Sequence, residues 1–304
     1  FGGALGAMIG NSIDRGMLGG SRGPQIGDLS VQTSSYGSPL PKIYGCMRVA
    51  GTVIWSTDLR PTTTEAGTTY SVSFAVAVSS RPITGIGRIW ADGTLLRGAA
   101  GDLKVPCGFR LHLGDEDQAA DPLIASAEGL NFSTAYRGIS YAVFEDLQLA
   151  TFGNRIPSLT FEVEADSTGS VVRRLLEESS AGRILMPEED DHRVTGYAVH
   201  GDRMLDAIEP IIDALHLRFR ELDKHHQVIS DGQELEPDKI ELGAQQEPGG
   251  SPQHWRYAPA DEIPTRASLT YYDPERDYLL GQKQASAGAS GGRTARVDLP
   301  AVLT

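Results

Sequence analysis

The chain has only two cysteines, Cys46 and Cys107, in 304 residues. Two thiols cannot form a disulfide framework, and their separation matches no metal-ligand spacing. They read as plain buried or half-buried thiols. Catalytic signatures are missing as well. There is no HExxH, no cysteine pair, no glycine-rich phosphate loop after a strand and no GxSxG elbow. The seven histidines form no ligand set: His225 and His226 read as hairpin-turn residues facing water, and His192 follows the acidic run Glu188–Asp191, read as a solvated loop. Asp115–Asp121 offers oxygens, but Ala120 and Ser126 stand where a calcium loop needs Gly and Glu. These gaps lead to an expectation of no catalytic residue, no metal and no cofactor.

Positive charge is scarce: 27 Lys and Arg stand against 40 Asp and Glu, a net charge of −13. That balance argues against a nucleic-acid grip, which needs clustered cations to displace counterions. It is compatible with a conduit whose wall repels passing phosphate. Aromatics make up 7% of the residues, few for a sugar-binding sheet face. The most apolar stretch, Phe1–Gly20, is closed by Asp14 and Arg15, short of the roughly 20 residues a membrane span needs.

Glycine and proline are plentiful, at 35 and 17, and helix-forming runs are few. The length suits roughly two domains with real cores, and the composition favours a β-rich chain. Within Phe1–Gly20, Gly2, Gly6 and Gly10 fall on one helix face, where small residues let backbones approach. That face is the expected subunit contact, packed against copies of itself on a symmetry axis; a flexible arm with a short core helix is the alternative.

Gly27–Val31 and Lys42–Trp55 read as the first strands, the latter meeting at Gly51 after an extended lead-in through Pro39 and Pro41. Tyr70–Val78 alternates, with Val72, Phe74, Val76 and Val78 on one face and small residues on a crowded second face. Asp92-Gly93 marks a hairpin within Ile83–Leu96, and Pro61–Gly67 reads as a polar loop. Phe109–Leu113, Ser140–Phe144 and Ser158–Val163 read as strands, and Asp115–Asp121 as an acidic loop. Val171–Ser179 and Asp202–Leu217 read as helices, the second capped by Asp202 and kinked at Pro210. A hairpin turns at Asp223-Lys224, and Gln233–Asp261 is a long polar connection. Thr265–Tyr272 returns to strand, Asp273-Pro274 turns it, and Ala285–Gly292 is a flexible loop.

Several blocks, in order, resemble one family. They are Pro41-Lys42-Ile43-Tyr44-Gly45, Arg48-Val49-Ala50-Gly51 and Val53-Ile54-Trp55. Then come Asp121-Pro122-Leu123-Ile124, Glu128-Gly129, Ala135-Tyr136-Arg137-Gly138, Tyr141 and Phe144-Glu145-Asp146-Leu147. Gly153-Asn154-Arg155-Ile156-Pro157 and Phe161-Glu162-Val163 close the strongest run. Gly196-Tyr197, Asp277-Tyr278 and Asp298-Leu299-Pro300 are shorter echoes. The pattern resembles the tail-tip hub proteins of long-tailed phages and gene transfer agents, including the large megatron baseplate proteins and lambda-type tip attachment proteins.

The resemblance implies an α+β, mainly β, multi-domain hub with two similar β-barrels per chain. Residues 1–26 would form the glycine-rich arm, 27–166 the first β-barrel hub domain with an insertion at about 102–135, 167–235 a small α+β domain, and 236–304 a linker and the start of a second β hub domain. The end, DLPAVLT, carries no stop signal, and the natural chain is expected to continue. As implied partners, the resemblance gives two sister copies in a homotrimer, the distal tail protein, other baseplate and hub proteins and the tape measure protein. DNA would pass through without specific binding, and the host envelope would be touched at attachment. The place is the virion's tail tip, the work is mechanical, and no enzyme activity is expected. A tail-associated hydrolase or a carbohydrate-binding module is the alternative.

Overall fold

The computed structural model describes residues 39–64, 67–129, 131–166, 169–186, 194–199, 203–222, 224–229, 264–286 and 293–304. The fold is α+β and mainly β, and its strands gather around one strand, β1 (Lys42–Ala50). The first four residues of β1 pair with β11 (Val194–Val199), and the last five pair with β9 (Leu159–Glu164). The change of partner falls at Gly45, whose φ of +68° bends the strand at no steric cost. Gly45 lies opposite Gly196. A Cβ on Gly45 would stand 2.1 Å from the Thr195 carbonyl oxygen, and one on Gly196 would stand 1.9 Å from that of Cys46. The two backbones therefore meet where no side chain fits.

β1 continues across Gly51 into β2 (Thr52–Ser56), which pairs with β4 (Gly67–Ser79). β3 (Arg60–Thr64) also pairs with β4, on from β2. β5 (Gly85–Ala91) and β6 (Thr94–Arg97) form the hairpin turned by Asp92-Gly93. β7 (Gly108–His112) and β8 (Ser140–Gln148) complete a five-stranded sheet in which β8 lies between β4 and β7. The alternation in β4 decides how the layers pack. Val72, Phe74, Val76 and Val78 face Ile43, Met47, Val49, Ile89, Phe161 and Val163 of the larger sheet, giving a core between two sheets. Phe74 stacks on Phe144 with centroids 5.1 Å apart. Each fully buried Phe contributes about 2–3 kcal/mol by area removed from water. On the other face, Ala75 and Ala77 leave room for Tyr141, Val143 and the helix α1 (Pro122–Glu128), which presses Ile124 onto them.

The eight-stranded sheet runs β15 (Leu279–Ser286), β14 (Pro264–Asp273), β16 (Arg293–Leu303), β11, β1, β9, β5, β6. β14 and β16 are parallel; β14 and β15 form an antiparallel hairpin. The helices α2 (Val171–Ser179) and α3 (Met204–Leu215) cover the β1, β11 and β16 portion. Their apolar faces, Val172, Leu175, Leu176, Ile208 and Ile211, pack with Tyr44, Tyr197, Leu299 and Ala301. A small sheet of β10 (Ile184–Leu185), β13 (His225–Ile229) and β12 (Arg218–Leu222) closes this second core.

Several sequence expectations are corrected. Within Pro61–Gly67, residues 61–64 belong to β3 and Gly67 opens β4; β3 is an edge strand, where the missing N–H of Pro61 does no harm. The helix α1 is capped by Asp121, whose carboxylate accepts from the Leu123 N–H, with Pro122 in the first turn. Its short apolar run gave no clear helical period, so it went unread. β11 was also unread, although it carries Gly196-Tyr197. His225 and His226 lie in β13 rather than in a turn, and His226 is half-buried. α3 begins after Arg203, which makes no side-chain cap bond, and does contain Pro210. Gly27–Val31, Asp202, His192 with its acidic run and the connection Gln233–Asp261 lie outside the described residues, as does most of Ala285–Gly292.

Gly196→Ala should cost about 3 kcal/mol in urea denaturation, because the new Cβ meets rigid backbone. Gly153→Ala, at φ +65° with open space around it, should cost only about 1–2 kcal/mol. Equal costs would show that the crossing at Gly45 and Gly196 relaxes freely.

Candidate functional site

Three carboxylates on the described surface-to-core boundary are each gripped by arginine, and each sits where separate segments of the chain meet. The first is Glu162, on β9. The backbone N–H and the Nε of Arg88 both donate to its Oε2 at 2.9 Å, and the Arg88 Nη2 donates to Oε1 at 2.8 Å. The Tyr278 hydroxyl donates to the same Oε1 at 2.8 Å and stands 3.2 Å from the Cys46 sulfur. Arg88 also pairs with Asp277. Arg48 donates to Thr160 Oγ1 at 2.9 Å and to the Asp277 carbonyl at 3.0 Å. Both guanidiniums lie over Trp90, at 3.9 and 4.9 Å from the ring.

Local backbone geometry makes this joint. A 3₁₀ turn at Pro274–Arg276 is capped by the Asp273 carboxylate, and Asp277 and Tyr278 then take positive φ of 53° and 62°. The Tyr278 N–H donates to the Asp273 carbonyl at 2.8 Å. The turn between β14 and β15 thus pushes one tyrosine onto β9. Burial would raise the Glu162 pKa, but the hydrogen bonds from Arg88 outweigh it and hold it below its ordinary value. Burial raises the Tyr278 phenol and the Cys46 thiol, so neither is a ready nucleophile.

The second carboxylate is Asp121, which is fully buried. Arg110 grips it bidentately at 2.8 and 3.1 Å, His112 Nε2 lies 2.9 Å away, and the N–H of Leu123 donates at 2.8 Å. Arg110 also reaches Glu145 at 2.6 Å, and the His112 ring stacks on Tyr141 at 4.4 Å. The third is Asp166, which accepts from the Gly45 N–H at 3.0 Å, from Arg81 at 3.0 Å and from Arg174. Arg81 also binds the Ile43 carbonyl and Glu178 and lies over Tyr44. The bend of β1 is therefore tied to α2.

A cavity of about 350 Å³ lies beside the first joint, lined by Arg48, Asp92, Ser158, Thr160, Tyr272, Tyr278 and Leu279. Its charges are already engaged: Arg48 as above, and Asp92 with Arg155 at 2.9 Å and the Ser158 N–H at 2.9 Å. Among the described residues, no group of three His, Cys, Asp or Glu is placed to hold a metal. Gly2, Gly6 and Gly10 lie outside the described residues. Cys46 and Cys107 are both half-buried free thiols. Sequence reasoning placed Asp121 at the end of an acidic loop and at the head of a resembling block, without assigning it a partner; it is the best-buried acid of the chain's described part. Asp277-Tyr278 was noted, but only as a short echo. Glu162 lay within a resembling block but, like Arg88 and Asp166, showed no sign of its bonding role, because Glu162 meets Arg88 and Tyr278, and Asp166 meets Gly45 and Arg81, far off in sequence.

The arrangement defines a class: a mainly β chain whose polar chemistry is spent on holding segments together. The comparisons agree with that class. Residues 203–304 match the family described as "Putative phage tail protein". Among solved structures, a chain of the structure titled "Virion of native gene transfer agent (GTA) particle" is similar over 100% of this chain and 81% of its own, at 26% identity and a TM-score of 0.72. No curated protein sequence matches. Together these findings support a structural component of a phage-type tail, and a structural role in preference to an enzymatic one.

Asp121 makes a pH test. Burial alone would raise its pKa, but Arg110, His112 and the Leu123 N–H hold it down at about 2, against an ordinary 3.8. A folded pKa below the unfolded one stabilises the fold above the unfolded value, and that stability drains as pH falls toward the folded value. Asp121→Asn should cost about 2 kcal/mol at pH 7 and flatten the loss of stability between about pH 4 and pH 2. An unchanged acid limb in denaturation curves would refute this. Tyr278→Phe, which strips the hydroxyl from Glu162 and Cys46, should cost about 1–2 kcal/mol and speed Cys46 alkylation by a thiol reagent.

Proposed function

We propose that the chain is the N-terminal hub portion of a tail-tip baseplate hub in a phage or gene transfer agent. Three copies close the end of the tail tube and join it to the receptor-binding parts. The observation that carries this reading is likeness over the whole chain to a virion protein. The blocks that resemble hub proteins lend further support, because they fall on β1, β2, α1, β8 and β9, the elements that build the central core. In this reading the distal tail protein sits above the ring, other baseplate and hub proteins attach around it, and the tape measure protein ends against it. DNA passes without specific binding, consistent with the net charge of −13. The host envelope is met at attachment. Gly2, Gly6 and Gly10 are the proposed contact on the three-fold axis.

Quantitative mass spectrometry of purified particles should find three copies per particle, and antibody labelling should place them at the tail tip. A copy number that scales with tail length would instead make the chain a tube protein. Leu at Gly2, Gly6 and Gly10 together should yield particles without functional tips; normal particles would remove the axial contact and leave the rest of the reading standing.

A further inference from the structure

The strands β14, β15 and β16 carry a second surface that the joints do not use. Directly opposed residues share a sheet face. Arg266, Ser268 and Thr270 lie opposite Ser286, Gln284 and Gln282 on one side, and opposite Thr294, Arg296 and Asp298 on the other. These opposed residues are polar and, with Ala267 and Ala285, most of them line a depression of about 350 Å³, with Arg266 and Arg296 exposed on it. Neither arginine has a carboxylate partner among the described residues, in a chain of net charge −13. Arg81, Arg88, Arg110, Arg155 and Arg174, by contrast, each bind a carboxylate.

The complementary surface is on the same chain. Asp115, Glu116 and Asp117 are all exposed in the loop between β7 and α1, and none has a cationic partner among the described residues. The loop is held stiffly at its foot. Gln118 accepts from the Gly114 N–H at 2.8 Å and donates to the Ala135 and Tyr136 carbonyls at 2.9 and 3.1 Å. Asp121 anchors the next turn in its arginine grip. Three acids presented by a fixed loop lose little freedom on docking. No hydrogen bond or ion pair joins this loop to β14–β16 within the described residues.

We infer that the Arg266–Arg296 face takes the Asp115–Asp117 loop of a second copy. One patch meeting a different patch is a head-to-tail contact, which closes into a ring when the rotation allows. The inference deepens the reading of the chain as a ring-forming tail part, and rests on it.

Sedimentation of the purified chain tests it by charge exchange. Arg266→Glu with Arg296→Glu should weaken self-association by about tenfold or more, and so should Asp115→Lys with Glu116→Lys and Asp117→Lys. The two sets mixed as separate chains, or combined in one chain, should restore it. Association of the native chain should also fall with added salt. Combined variants that stay as weak as either set alone would overturn the contact. So would rescue of the arginine variant by Asp261→Lys with Glu262→Lys, which would assign the face to the chain's own upstream segment. A native chain that remains monomeric at every concentration would overturn the contact too, while copy number in particles still decides the tail-tip reading separately. Circular dichroism of each variant checks that the fold is kept.

Discussion

At Gly45 and Gly196 two backbones come closer than any side chain permits, and the remainder of the architecture is arranged around that crossing. β1 must serve two sets of strands, and a regular strand cannot turn from one to the other without a bend. The left-handed glycine supplies the bend, and Asp166 fixes it by accepting the Gly45 N–H. The same carboxylate holds Arg81 and Arg174, so the position of α2 is referred to the bend itself. The sandwich core and the helix-covered core are thereby registered to each other through one strand rather than through a hinge. Relative motion of the two cores would first have to break these charge-assisted bonds.

The arginine grips repeat this logic at other seams. Glu162 ties β9 to β5 and to the turn before β15; Asp121 ties β7 to α1 and, through Arg110, to β8. A buried carboxylate is costly unless its lone pairs are satisfied. Here each is satisfied by a planar fork that fits a carboxylate twice over, or by several donors at once. That leaves no lone pair for a metal and no free base beside a nucleophile at these positions. The same residues that could have been catalytic in another setting are here consumed by connection.

How much of this was legible depends on range. Alternation exposed β4, and its small residues on the second face correctly implied crowding, since Ala75 and Ala77 meet Tyr141 and Ile124. The apolar stripe of α2 and the Asp92-Gly93 hairpin were also visible, because each signal lies within a few residues. α1 was missed because seven residues give less than two turns of period, and β3 because proline and threonine read as loop until the edge position is known. The joints were invisible as chemistry: Glu162 and Tyr278 are 116 residues apart. They were nevertheless marked as words. Gly45, Tyr136, Gly138, Gly153, Asn154, Asp277 and Tyr278 all fall in blocks singled out by resemblance, and all take positive φ. Asp121, Glu162, Gly196 and Tyr197 fall in such blocks too. The matching blocks concentrate where backbone geometry or a long-range bond admits few residue types.

Scarce cations sharpen the final step. With 27 basic residues against 40 acidic ones, most of the surface field is negative, and two copies approaching at random repel each other. Association between like-charged bodies must then be directed by whichever positive surface is left uncovered. Arg48, Arg81, Arg88, Arg110, Arg155 and Arg174 are drawn inward or held by neighbours, which removes them from that role. Arg266 and Arg296 are not, and they sit on strands at the far end of the sheet from β6. A general repulsion relieved at an attractive face restricts copies to fewer relative orientations, which favours a defined contact over a disordered aggregate.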